Sequence, residues 1–113
     1  MTGAFEESVE FRMREVFDDP DAVRLVVTGE LDLAVAGMVG DRLRRLRNEG
    51  YAVRLDLAEL EFIDSTGLRE LIVAVSESRS NGCRLVIEPR LTEAVRRTVE
   101  LAGLHPHLWP DSG

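Results

Sequence analysis

Apolar and polar residues alternate along four stretches of the chain, which is the pattern of a β-strand with one buried face. The segment 18–21, Asp-Asp-Pro-Asp, lies between the first two stretches and has the composition of a turn, so it predicts a hairpin. The alternation therefore predicts four strands. Their apolar positions are Val9, Phe11 and Met13; Val23, Leu25 and Val27; Val53, Leu55 and Leu57; and Cys83, Leu85 and Ile87.

Three other stretches repeat their apolar residues every three or four positions, which is the spacing of a helix with one buried face. A glycine follows each stretch and supplies a helix stop. Beyond the third helix, Leu108 and Trp109 predict a further short strand. The apolar helix positions are Val35, Val39, Leu43 and Leu46; Leu68, Leu71, Ile72 and Val75; and Leu91, Val95 and Val99.

The predicted order of elements is strand, strand, helix, strand, helix, strand, helix, and the helical crossovers imply that the later strands are parallel. Strands that are covered on both faces are apolar throughout, whereas each of these carries charged or hydroxyl residues on its second face. Helices are therefore expected mainly on one face. The pattern predicts an α/β fold of two layers with a mixed sheet of four to five strands, and it disfavours a doubly wound nucleotide-binding fold.

Length and composition favour one acidic domain. The 113 residues contain no repeat or linker, so a single domain over 1–113 is expected, with an ordered core at about 8–109. A net charge of -7 opposes nucleic acid and anionic membranes as partners. An acidic start that is unlike a signal peptide, the absence of a run of ~20 apolar residues and a single cysteine, Cys83, predict a cytoplasmic location.

The segment 62–68, Phe-Ile-Asp-Ser-Thr-Gly-Leu, joins the third strand to the second helix. A phosphate on Ser65 would meet unpaired backbone N–H groups and the positive end of the helix dipole, so the site suits a phosphoserine. The alternative is that Ser65 or Thr66 only caps the helix. However, the residues three positions after Asp64, Ser65 and Thr66 are not the Glu or Gln of a capping box.

A second polar segment, Gly29-Glu30-Leu31-Asp32, follows the second strand. Because the carboxyl ends of parallel strands meet at one edge, where open sheets usually bind partners, the two segments are expected to share a surface. The residues expected on that surface are Glu30, Asp32, Asp64, Ser65 and Thr66, with Leu31 and Leu68 nearby as apolar contacts.

Together, these two segments and the spacing of the elements resemble the anti-sigma factor antagonists of the STAS-domain family, over almost the whole chain. The resemblance implies a STAS-like fold and a bacterial regulator of transcription that works by partner switching, without catalysis, cofactor or metal. In that family the Ser after the Asp of an Asp-Ser-Ser/Thr-Gly motif is the phosphoacceptor. This role carries over to Ser65, and Thr66 is the neighbour that is not the usual acceptor.

The resemblance also implies the partners. The unmodified protein would bind an anti-sigma factor, often an ATP-dependent serine kinase, and so free a sigma factor. Phosphorylation of Ser65 would end this binding, and a metal-dependent serine/threonine phosphatase would restore it. Many members have Gly after the Leu of the motif, whereas this chain has Arg69-Glu70, which bears on partner choice. The implied partner-binding residues are Glu30, Leu31, Asp32, Asp64, Ser65, Thr66, Gly67 and Leu68.

Other functions have weaker support. A scaffold subunit of a larger signalling or lipid-transport assembly would use the same domain. A nucleotide-binding protein or enzyme is disfavoured, because no phosphate-cradling loop or acid/base constellation is present. A metal site at His105, His107 and Asp111 lacks a further ligand. On the strand pattern, Cys83 is expected to be a small buried residue rather than a reactive thiol.

A basic cluster lies on the first predicted helix. Its favoured interpretation is a solvated helix face whose charges offset nearby acids, and the alternative is a contact with a partner. The cluster consists of Arg42, Arg44, Arg45 and Arg47.

Overall fold

Residues 11–110, the part of the chain that the computed structural model describes, form five strands and four helices. The predicted order of strands and helices is confirmed, with one additional strand and a short final helix. The strands are β1 (Arg12–Asp19), β2 (Ala22–Leu31), β3 (Ala52–Asp56), β4 (Leu60–Ile63) and β5 (Leu85–Ile87). The helices are α1 (Ala36–Asn48), α2 (Ser65–Ser80), α3 (Glu93–Ala102) and α4 (His105–Leu108).

The sheet is mixed, as predicted. β1 and β2 form an antiparallel hairpin, and β2 pairs in parallel with β3, which pairs in parallel with β5. β4 adds to the carboxyl end of β2, also in parallel, so the sheet has five strands within the described residues. The carboxyl ends of β2 and β4 therefore lie side by side, and the segments that follow them start at the same edge of the sheet.

One hydrophobic core lies between the sheet and the helices. Leu25 of β2, Leu46 of α1, Leu55 of β3 and Leu71 of α2 are each almost completely buried in it. Burying a leucine of this kind contributes about 2 kcal/mol. The alternation along the strands follows from this arrangement, because one set of strand side chains faces this core.

Ion pairs between neighbouring strands occupy the second face of the sheet. Arg24 of β2 pairs with Asp56 of β3 at 3.2 Å, and Arg54 of β3 pairs with Glu88, just beyond β5, at 2.9 Å. These pairs involve the polar positions Arg24, Arg54, Asp56 and Glu88 of the predicted pattern. Among residues 11–110, none of the helices combines the length and the apolar character that crossing a bilayer requires.

Two predictions about the elements were wrong. Leu108 ends the short helix α4, not a strand, and Trp109 follows it with its indole Nε1 donating to the carbonyl of Ile87 at 2.7 Å. β4 was predicted as a connection, because only its first and last residues are buried and the pattern has no period of two. Of the first predicted strand, Val9 lies outside the described residues.

Candidate functional site

Asp64 is the residue that caps α2. Its backbone is extended, with φ -104 and ψ -177, and its Oδ1 accepts a hydrogen bond from the backbone N–H of Gly67 at 2.8 Å. A carboxylate at this position satisfies one of the unpaired donors of the first turn. The alternative in which Ser65 or Thr66 caps the helix is therefore wrong, and the Ser65 hydroxyl has no capping role.

The same carboxylate joins α2 to the loop between β2 and α1. Asp64 Oδ2 accepts from the backbone N–H of Leu33 at 3.1 Å, and the Asp64 N–H donates to the carbonyl of Leu31 at 3.2 Å. The loop and the start of the helix are thus held together at the carboxyl edge of the sheet. This is the edge at which the topology predicted that they would meet.

Gly67 lets the first turn of α2 cross closely over the end of β2. A Cβ atom at this position would lie 2.6 Å from the carbonyl oxygen of Leu31 and 2.9 Å from side-chain carbons of Leu31 and Ile63. Real Cβ atoms do not approach a backbone oxygen so closely, so a larger residue would push the helix away from the strand. The glycine therefore keeps the Asp64 hydrogen bonds within reach.

The loop after β2 is shaped by its own polar residues. Gly29 has φ 94, in the left-handed region that favours glycine, and the β2–β4 register shifts between Gly29 and Glu30. Asp32 Oδ1 accepts from the N–H of Ala34 at 3.1 Å, and the Asp32 carbonyl accepts from Ala36 as α1 begins. Asp32 is half-buried, whereas Glu30 is exposed.

Three of the predicted binding residues are buried. Leu31 is 0% exposed and Leu68 is 2% exposed, and Gly67 is buried against Leu31 and Ile63. The expectation that Leu31 and Leu68 are apolar contacts at the surface was wrong, because both side chains belong to the hydrophobic core. At this edge the two side chains pack in the core beneath the two loops.

Two exposed apolar residues, which the pattern did not single out, lie beside the motif. Leu33 is 74% exposed and Phe62 is 45% exposed, and Phe62 is paired in register with Glu30. Large apolar side chains on a surface mark contact sites when they cluster with polar groups. The sequence indicated their exposure only in that neither residue fits the periodicity of its neighbours. We call the surface formed by Glu30, Asp32, Leu33, Phe62 and Ser65 the loop edge.

Ser65 is the first residue of α2 and is exposed. Its hydroxyl makes no hydrogen bond to any residue between 11 and 110. Thr66 is half-buried. Both lie at the rim of a groove that is lined by Ser65, Thr66, Arg69, Ile72, Val73 and Leu104.

The α1 arginines are all paired with acids, which agrees with the favoured interpretation of a solvated helix face. Glu15 of β1 and Glu77 of α2 each accept from two of them. The pairs are Arg42–Glu15 at 3.0 Å, Arg45–Glu15 at 2.8 Å, Arg44–Glu77 at 3.3 Å and Arg47–Glu77 at 3.4 Å. We call these six residues the arginine face.

The two histidines and Cys83, which the sequence also offered as candidates, form no metal site within the described residues. His105 belongs to α4, where its ring packs against Trp109 with centroids 4.8 Å apart, and Asp111 lies outside the described residues. Within the described range no group of three or more acidic, His or Cys side chains is arranged to hold a metal ion. Cys83 precedes β5 and is half-buried.

Known proteins share this fold. The family model described as "Mlab, STAS domain" matches residues 16–109. The anti-sigma-B factor antagonist of Listeria monocytogenes is 33% identical over 98 residues, which are 86% of this chain and 82% of that protein. Fold and family model together define a STAS domain. The chain belongs to the STAS-domain family, and its curated relatives are anti-sigma factor antagonists.

Solved structures agree at the level of the fold. The unphosphorylated anti-sigma factor antagonist SpoIIAA superimposes with a TM-score of 0.69 at 18% identity, over 84% of each chain. Its phosphorylated form, from Bacillus, gives a TM-score of 0.64 at 16% identity, over 84% of this chain and 86% of that one.

Proposed function

We propose that this protein acts as an anti-sigma factor antagonist that binds an anti-sigma factor through the loop edge and is switched off by phosphorylation of Ser65. The observation that carries the proposal is the division of roles between two adjacent residues. Asp64 supplies the helix cap and the link between the loops, whereas Ser65 is exposed and its hydroxyl is not hydrogen-bonded to the described residues. A kinase can therefore modify Ser65 without breaking a structural contact.

Charge explains how the modification would act. A phosphate adds about -1.5 to -2 charges at neutral pH. It would be placed on a surface that already carries Glu30 and Asp32 and that exposes Leu33 and Phe62. A partner surface complementary to a neutral hydroxyl would have to bury an unpaired charge, which costs several kcal/mol. Binding is therefore expected to fall while the fold, whose helix N-terminus favours negative charge, is retained.

The partners follow from the same proposal. The anti-sigma factor is a serine kinase that uses this protein as its substrate, and a serine/threonine phosphatase acts on phospho-Ser65. In this scheme the chain contributes a hydroxyl and a surface but no catalysis and no cofactor, and it works in the cytoplasm. Support comes from the names of the curated relatives and from SpoIIAA, which has been solved with and without phosphate.

The test compares unmodified and enzymatically phosphorylated protein in a titration against the anti-sigma factor and in a thermal melt. We expect a loss of about hundredfold in affinity, which corresponds to ~2.7 kcal/mol, with an unchanged melting temperature. Equal affinities of the two forms would refute the switch, and a parallel loss of both properties would mean that phosphate unfolds the domain.

Two variants identify the acceptor. Ser65→Ala should abolish labelling by the kinase and retain binding, whereas Thr66→Ala should still be labelled. The reverse result would move the acceptor by one residue. A scaffold subunit of a larger assembly would behave differently in both experiments, because it would form a stable oligomer on a sizing column and its binding would not respond to phosphate.

A further inference from the structure

Arg69 lies one helical turn after Ser65 on α2. Side chains four positions apart on a helix are neighbours, with Cβ atoms about 6 Å apart. Both residues line the same groove, which has a volume of about 270 Å³ and whose apolar wall is formed by Ile72, Val73 and Leu104. The guanidinium is therefore within reach of any group attached to the Ser65 hydroxyl.

The charge of Arg69 is not used elsewhere in the described structure. Its side chain makes no ion pair or hydrogen bond to any of the residues 11–110, although each of the four α1 arginines is paired. Neither of the acids closest to it in sequence pairs with it. Asp64 uses both carboxylate oxygens for backbone N–H groups, and Glu70 Oε1 is buried against Gly40 of α1, where it has no hydrogen-bond partner among the described residues.

We propose that Arg69 binds the phosphate of phospho-Ser65 and holds it in this groove; the inference rests on the proposed function, in which Ser65 is the phosphoacceptor. A guanidinium presents parallel N–H donors that fit two phosphate oxygens at once. The phosphate would then lie along α2 and close to Thr66, at the rim of the loop edge to which Ser65 belongs. Arg69 would stabilise the phosphorylated form and leave the unmodified form unchanged.

The competing role for an exposed, unpaired arginine is a direct contact with an acidic group of the partner. A partner contact would act in the unmodified protein, whereas a phosphate contact would act only in the phosphorylated protein. A partner contact would weaken binding of the unmodified protein when Arg69 is replaced. An intramolecular phosphate contact would change the ionisation of the phosphate in the absence of any partner.

The experiment measures that ionisation on the full chain. Phosphoserine is installed at position 65 during synthesis, and the phosphate is titrated by ³¹P NMR at low salt. A neighbouring positive charge favours the dianion and lowers the second pKa of the phosphate, so its loss raises the titration midpoint. We expect Arg69→Gln to raise the midpoint by roughly 0.3 pH unit, Arg69→Lys to raise it less, and 1 M salt to remove the difference.

Arg84→Gln is the matched control. Arg84 is also exposed and its side chain is also unpaired within the described residues, but it precedes β5, at the opposite edge of the sheet. Identical midpoints for Arg69→Gln and Arg84→Gln would overturn the inference. Because the phosphoserine is installed without a kinase, that result would leave the switch standing. Equal partner affinities of the unmodified and phosphorylated proteins would refute the switch and leave the phosphate contact standing.

Discussion

The two ends of the α1–α2 pair use their charged residues differently. On the arginine face, Glu15 and Glu77 each pair with two arginines. Asp41 and Glu49 each add one further pair, so every arginine there has an acidic partner at the surface. The arginine face therefore offers few unpaired charges to a partner.

At the loop edge the carboxylates of Asp32 and Asp64 accept from backbone N–H groups instead. Arg69, one helical turn after Ser65, makes no ion pair within the described structure. The loop edge uses its carboxylates to position a loop, and the charge of Arg69 stays available.

The energetic difference follows from the groups that each carboxylate binds, which are mobile side chains on the arginine face and backbone N–H groups at the loop edge. Exposed ion pairs contribute about 0–1 kcal/mol each, because water and salt screen them. A carboxylate that caps a helix and also accepts a second backbone hydrogen bond contributes more, since its loss leaves two donors without a partner. The loop edge should therefore be sensitive to single substitutions that the arginine face tolerates, and the following variants test this from the largest expected effect to the smallest.

Gly67→Ala should be the most damaging change. The new Cβ would lie 2.6 Å from the Leu31 carbonyl oxygen, which is backbone and cannot move aside cheaply. We expect the free energy of unfolding to fall by about 3 kcal/mol, as measured by chemical denaturation with circular dichroism. Gly37→Ala is the control, because Gly37 lies in α1 and an added Cβ would meet no described atom within 4 Å beyond its own stretch of helix, so the variant should be neutral or stabilising. Similar losses in the two variants would contradict the close crossing.

Asp64→Ala should remove the helix cap and the link to the Leu33 N–H together. We expect a loss of about 2 kcal/mol in the free energy of unfolding, together with weaker binding of the anti-sigma factor, because the loop is no longer held. Hydrogen exchange at the Gly67 and Leu33 amides measures the local effect directly. If protection at both amides were unchanged in Asp64→Ala, the link would be absent in solution.

The contrast between these residues also shows how much of the structure can be predicted from the sequence. The order of the main elements follows from periodicity, and the shared edge follows from the parallel topology. β4 was missed because Glu61 and Phe62 are both exposed between the buried Leu60 and Ile63, so that its pattern does not alternate. Leu108 and Trp109 were predicted as a strand, but they lie at the end of α4. This helix was missed because four helical residues are too few to show a period.

The position of the candidate site could be predicted from the sequence, but its contacts could not. The motif and the topology indicated where Ser65 lies. The double hydrogen bonding of Asp64 and the crowding at Gly67 depend on distances between segments that are more than thirty residues apart, which no local pattern encodes. Leu33 and Phe62 were overlooked for a related reason, since the exposure of an apolar residue is a property of the folded surface.

Leu33→Ser and Phe62→Ser test whether the exposed apolar residues contribute to binding. Neither side chain belongs to the hydrophobic core, so the melting temperature should be nearly unchanged. We expect each variant to weaken binding of the anti-sigma factor by about tenfold, or ~1.4 kcal/mol, measured by titration calorimetry. Met38→Ser is the control, because Met38 is similarly exposed but lies on α1, outside the motif segments. Equal effects of all three variants would mean that the contact surface is broader than the loop edge.

Glu77→Gln should have the smallest effect and addresses the arginine face. Glu77 Oε1 accepts from Arg44 at 3.3 Å and from Arg47 at 3.4 Å, and the groups are partly exposed. We expect a loss of about 0.5 kcal/mol in the free energy of unfolding at low salt, and no loss in 1 M salt, because the screening length is then ~3 Å. Asp41→Asn provides the comparison, since Asp41 is far more exposed and, among residues 11–110, pairs only with Arg44. Affinity for the anti-sigma factor should not change in either variant. A loss of binding in Glu77→Gln, or a loss of stability that persists in 1 M salt, would show that the arginine face is a partner contact or a structural network, and the contrast with the loop edge would then fail.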